Sequence, residues 1–126
     1  MSNIGKRPDL SYKHFEKWLN EVLSEKMSDN IKAFCFNIYD DGNEEWSVEL
    51  IGSKSFDTSD NDWPCDEVFT TRSNPLKWSN LMTWQKQIKI LKSCIEQYLQ
   101  NGKYSQMLLS KQGIGYGFVD GDLHIL

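Results

Sequence analysis

The chain has 126 residues, with 14 Lys and Arg against 18 Asp and Glu, a formal net charge of −4 and a mean hydropathy of −0.58. One domain is predicted at that length, burying about 70% of the unfolded chain's surface, and sixteen aromatics, five of them Trp, exclude a disordered acidic tail. No apolar run approaches the ~20 residues needed to cross a bilayer, and no apolar segment follows Lys6 and Arg7, so neither a membrane span nor a secretory signal is expected.

Residues 1–8 read as a flexible arm of a single domain covering 1–126. From Leu10 to Met27 the apolar residues Phe15, Trp18, Leu19, Val22 and Leu23 recur at helical spacing, with Asp9 or Ser11 as the cap. Ser28-Asp29-Asn30 breaks the pattern. Residues 33–39 alternate, with Phe34, Phe36 and Ile38 on one face. Residues 45–51 alternate too, with Trp46, Val48 and Leu50 opposite Glu45, Ser47 and Glu49. The turn chemistry of Asp40 to Glu44 between them predicts a β-hairpin with one apolar face and one acidic, wet face.

Gly52 to Pro64 is a long loop, and loops of more than about 12 residues in a compact domain are functional or mobile. A short strand is predicted at Glu67–Thr71, ended by Arg72-Ser73-Asn74-Pro75. From Ser79 to Gln100, Leu81, Trp84, Ile88, Leu91, Ile95 and Tyr98 step by three or four, and Asn101-Gly102 supplies a stop. This is the longest predicted helix, and Lys86, Lys89 and Lys92 form its basic outer face. The final stretch, GIGYGFVDGDLHIL, predicts a second hairpin with Asp120-Gly121 as a type I′ turn. Its Gly113, Gly115 and Gly117 share one strand face, where a helix or an aromatic side chain could approach the backbone closely. The expected class is α+β: an antiparallel sheet of two hairpins plus a short strand, packed by two amphipathic helices.

Ten of the eighteen carboxylates lie between Asp40 and Glu67, where Lys54 is the only basic residue, so these 28 residues carry net −9. The other 98 residues carry net +5. Such an asymmetry steers encounters with a basic partner. It disfavours direct nucleic-acid binding, because the acidic segment contains the longest loop. The glycine series lacks the Lys and Ser/Thr of a phosphate loop. Cys35, Cys65 and Cys94 are widely spaced and read as reduced thiols of a cytosolic protein, and no Cys–His spacing suits zinc. Asp57, Asp60, Asp62 and Asp66 do not follow the calcium-loop template, and neither His14 nor His124 is placed as a catalytic base. No catalytic residue, metal or cofactor is expected. Trp63, flanked by Asp62 and Pro64, is either an interface anchor or a core Trp pinning the loop to the sheet.

Three strings add a resemblance: WSVELIGS from Trp46 to Ser53, DWPCDEVF from Asp62 to Phe69, and GFVDGD from Gly117 to Asp122. In this order, over roughly the last 90 residues, the chain resembles a group of small bacterial immunity proteins of contact-dependent and other polymorphic toxin systems. The resemblance implies a cytoplasmic, non-enzymatic inhibitor that binds a cognate toxin domain, often a nuclease with a basic cleft. The expected contact surface is then Asp40, Asp41, Glu44, Glu45, Glu49, Asp57, Asp60, Asp62, Asp66 and Glu67, with Trp63 as candidate anchor. The rival readings are a non-enzymatic adaptor or small-ligand-binding module of the bacterial cytoplasm, and a metal-dependent hydrolase built on Asp57, Asp60, Asp62 and Asp66.

Overall fold

The computed structural model describes residues 8–126. The expected N-terminal arm lies, except for Pro8, outside the described residues. Helix α1 (Tyr12–Leu23) is followed by strands β1 (Ala33–Gly42) and β2 (Glu45–Ser53), a 3₁₀ turn (Trp63–Cys65), and strands β3 (Glu67–Thr70) and β4 (Leu76–Ser79). Helices α2 (Trp84–Asn101) and α3 (Ser105–Leu109) come next, and β5 (Gly113–Phe118) and β6 (His124–Ile125) end the chain. The class is α+β, as expected, and the described residues form three helices and a six-stranded sheet.

Of the two possible caps, Ser11 holds the first turn of α1, its side chain accepting from the His14 N–H at 3.2 Å. The first hairpin forms as predicted, and its register sets Phe36 opposite Leu50 and Ile38 opposite Val48. A bulge at the end of β1 brings Gly42 opposite Glu45, leaving Asn43 and Glu44 as a two-residue loop. Both loop residues have positive φ (54° and 66°), the backbone a type I′ turn requires. The turn expected at Asp120-Gly121 is different. There the Gly121 N–H donates to the Phe118 carbonyl, and neither Asp120 nor Gly121 has positive φ. It is therefore not type I′.

The sheet is mixed rather than wholly antiparallel. β5 pairs with β1 in parallel, Phe34 beside Ile114 and Phe36 beside Tyr116. A parallel neighbour needs a long crossover, and β2 through α3 supply it. β4 escaped the sequence reading, which started the second helix at Ser79. In the structure Leu76–Ser79 pairs with β2, and Asn80 N–H donates to the Glu44 carbonyl, so Leu81 and Met82 fall in a connection ahead of α2. Trp78 on β4 is fully buried.

One face of the sheet carries the main core. Phe34, Phe36 and Ile38, with Trp46, Val48 and Leu50 and with Ile114 and Tyr116, pack under Phe15, Leu19 and Val22 of α1 and Leu91, Ile95 and Tyr98 of α2. Phe15 lies 5.8 Å from Phe36 and 6.3 Å from Tyr98, ring centre to ring centre. The Tyr98 hydroxyl donates to Asn20 Oδ1 at 2.6 Å and ties the two helices together.

Candidate functional site

The opposite face of the sheet is divided in two. At one end Ala33, Cys35 and Ile51 form a second, smaller core with Trp63, against which Phe56 and Leu123 pack. The rings of Phe56 and Trp63 meet edge to face at 5.1 Å. Alternation along β5 makes room for them. Gly113 and Gly115 lie on this face because Ile114 and Tyr116 point into the main core. A Cβ at Gly113 would overlap the Phe56 ring, and one at Gly115 would come within 3.0 Å of Trp63 Cζ2. The expected close approach of an aromatic to the glycine face is what the structure shows. Ser53 Oγ donates to the Trp63 carbonyl at 2.6 Å and fixes the loop from below.

Trp63 is thus 2% exposed. Of the two alternatives open for it, the buried one holds, and its ring offers nothing to a partner. The long loop it pins is an acidic cover. Asp57 caps its own turn, accepting from the Ser59 N–H and hydroxyl at 2.9 and 2.7 Å, which lowers its pKa. Asp60 accepts from the Asp62 N–H, and Asp66 from the Ser55 hydroxyl. Local donors orient each of these carboxylates separately. Among the described residues, no three His, Cys, Asp or Glu side chains converge as ligands for a metal ion.

At the other end of this face, no described helix or loop packs across the strands as the Trp63 loop does. Asn37 and Tyr39 of β1 and Glu45 and Glu49 of β2 project there, with Arg72 and Lys77 along the edge. Arg72 bridges two of the predicted contact residues, its guanidinium 3.0 Å from Glu67 and 3.5 Å from Glu49. The Tyr39 hydroxyl donates to Glu49 at 3.4 Å, and burial first, then the Glu49 carboxylate, raises its pKa. Two clefts meet at Tyr39. One, about 410 Å³, runs between the acidic loop and the Phe118–Asp122 turn and includes Asp62, Glu67 and Asp122 in its wall. The other, about 460 Å³, includes Asp41, Glu45 and Glu49. Asp40, Glu44, Asp57, Asp60 and Asp66 are exposed.

A neighbouring feature has different chemistry. On the far side of the Phe118–Asp122 turn, Trp84, Ile88 and Phe118 line a groove of about 600 Å³ with Asp40, Asp120 and Asp122. Trp84 is 54% exposed although its spacing places it on the apolar stripe of α2. It opens the helix, and the stripe turns inward only from Gln87 and Leu91. The sequence signal for this was Thr83, a capping-type residue immediately before Trp84. Asp120 and Asp122, outside the acidic segment, were missed for the same groove.

Comparison with protein-family models, with curated proteins and with solved structures finds no match to this chain. Among the described residues, no helix is long and apolar enough to cross a membrane.

Proposed function

We propose that this protein is a non-enzymatic cytoplasmic inhibitor, an immunity protein that binds a cognate bacterial toxin domain with a basic surface and blocks it. One observation carries the reading. The fold gathers Asp41, Glu45, Glu49, Asp62 and Glu67, scattered over 27 residues of sequence, into two adjoining clefts on one sheet face. The exposed carboxylates of the loop, Asp57, Asp60 and Asp66, extend the same negative field beyond the cleft rim. A basic cleft of a nuclease presents the complementary field, and complementary fields raise association rates. The resemblance of the Trp46–Ser53, Asp62–Phe69 and Gly117–Asp122 strings to immunity proteins points the same way.

The small-ligand alternative is served less well. Small-molecule sites are mostly apolar with a few converging polar groups. Here the central cation, Arg72, is already paired with Glu49 and Glu67.

The test is neutralisation and rate. Co-expression should rescue growth of cells making the toxin encoded beside this protein. In stopped-flow mixing, reversing charge in an Asp60→Lys/Asp62→Lys variant should slow association about tenfold at low salt and flatten its salt dependence. An unchanged rate and salt slope would remove the acidic loop from the interface. Failure to rescue growth would remove the immunity reading itself.

A further inference from the structure

We infer that the Trp84 groove is a second docking subsite, for a segment of a partner protein that carries a large apolar side chain flanked by lysine or arginine. The inference rests on the reading of this chain as a binder of a basic protein, and adds the contact that holds such a partner. Leu81 is 78% exposed, Met82 55% and Trp84 54%, all within four residues. Of these, Trp84 lines the groove itself, where it joins Ile88 and Phe118 in one exposed apolar surface of the kind that marks an interaction site. The base of the groove is rigid. Phe118 is held between Trp84 at 6.1 Å and the buried Trp46 at 6.0 Å, in edge-on contact with both. Trp is among the residue types enriched at the dominant contacts of interfaces.

Charge identifies the occupant. Among the described residues, Asp40, Asp120 and Asp122 line the groove, with Lys89 as its lysine or arginine. An apolar side chain entering here brings its neighbours up to three carboxylates, so flanking cations gain and flanking anions lose. A second copy of this chain suits the groove less well. Two-fold pairing through the groove would set acidic rim against acidic rim.

Position makes the groove part of one footprint. Phe118, Gly121 and Asp122 line both the groove and the acidic cleft, so only the Phe118–Asp122 turn separates them. A single partner straddling that turn meets steering charge on one side and an aromatic anchor on the other. The first sets how fast it arrives and the second how long it stays.

The indole N–H resonances of ¹⁵N-labelled protein read this directly, with Trp84 assigned from Trp84→Phe. The probe is a synthetic amphipathic helical peptide whose leucines are flanked by lysines, with a control peptide in which every lysine is glutamate. The lysine peptide should shift the Trp84 resonance, while the buried Trp18, Trp63 and Trp78 stay in place. Trp84→Ala should weaken binding at least tenfold, and Asp120→Asn/Asp122→Asn should weaken it with a reduced salt dependence. Both aspartates are exposed and Trp84 is half-exposed, so these variants should fold, which far-UV circular dichroism checks. Three outcomes overturn the inference: no shift at Trp84, equal binding of the glutamate peptide, or sedimentation showing a dimer that Trp84→Ala dissolves. Growth rescue without peptide binding would sink this subsite and leave the immunity reading standing. Peptide binding without rescue would do the reverse.

Discussion

Replacing Trp63 with Ala separates a core role from an interface role in one experiment. The side chain is 2% exposed, packs on Ala33, Cys35 and Ile51, and meets Phe56 at 5.1 Å. Truncating a buried Trp to Ala costs about 3–5 kcal/mol, including the aromatic pair and the cavity left behind. The indole N–H has no acceptor among the described residues, so the loss is one of packing and falls toward the lower end. For a domain of this size that is a fall of roughly 10–20 °C in Tm. Urea denaturation followed by circular dichroism measures the stability, and trypsin cleavage after the exposed Lys54 reports whether the loop has come loose. A companion variant, Gly113→Ala, would push the Phe56 ring off the sheet and cost about 1–3 kcal/mol by overpacking. Both act by detaching one loop, so the double variant should lose less than the sum of the two. A Trp63→Ala protein that loses under about 1 kcal/mol, a ceiling well below the cavity cost, would refute this packing argument. If it then bound its partner poorly, Trp63 would be an interface anchor after all.

Two further outcomes follow from buried groups. Gln87, fully buried, accepts from the Trp78 indole N–H at 2.9 Å and donates to Asn80 Oδ1 at 2.9 Å, holding the connection that carries Leu81 and Met82. Gln87→Leu should cost about 1–3 kcal/mol in urea denaturation, because it orphans a buried donor, and should also weaken peptide binding at Trp84; unchanged stability would refute it. Burial pushes the Cys35 thiol from its ordinary 9.0 up to about 12 and the Cys94 thiol to about 11. These groups prefer the proton in the folded state, so their contribution to stability is whole below pH 9 and is lost as pH rises from there toward 12. Urea midpoints should therefore fall above pH 9, and a thiol reagent at pH 8 should find Cys65 in the folded protein and all three cysteines in urea. Modification of Cys35 as fast as Cys65 would show that the acidic loop does not cover the sheet.

The parts of the fold legible in the sequence were those fixed by local periodicity. Phe34, Phe36 and Ile38 against Trp46, Val48 and Leu50 could face only one way once the turn between them was recognised. The parallel pairing of β1 with β5 was not legible, because a crossover of 70 residues, 43–112, leaves no local trace. β4 was lost for a different reason. Leu81, Trp84 and Ile88 keep helical spacing, and the pattern runs straight through a strand end and a connection that only hydrogen bonds to β2 define. The same spacing hides the groove, since it places the exposed Leu81 and Trp84 on the apolar stripe of a helix. Of the candidate site, the acidic residues were legible as composition. Their division was not: some line a cleft, some cap loop turns, and Asp40 faces the groove.

The β5 glycines connect these features. Had side chains alternated on both faces of β5, Phe56 and Trp63 would find no seat, and the loop bearing Asp57 to Asp66 would have no anchor on the sheet. Gly117 extends the argument to the opposite end of the strand. A Cβ there would overlap the Asp122 carbonyl, and φ of 155° disfavours any other residue. The close return of the chain at Asp122 is what forms the ridge between cleft and groove. One strand face without side chains thus seats the acidic loop at one end and shapes the ridge at the other. Any substitution at Gly113 or Gly117 should therefore perturb partner binding from a distance, through the position of a loop or a turn rather than through lost contacts.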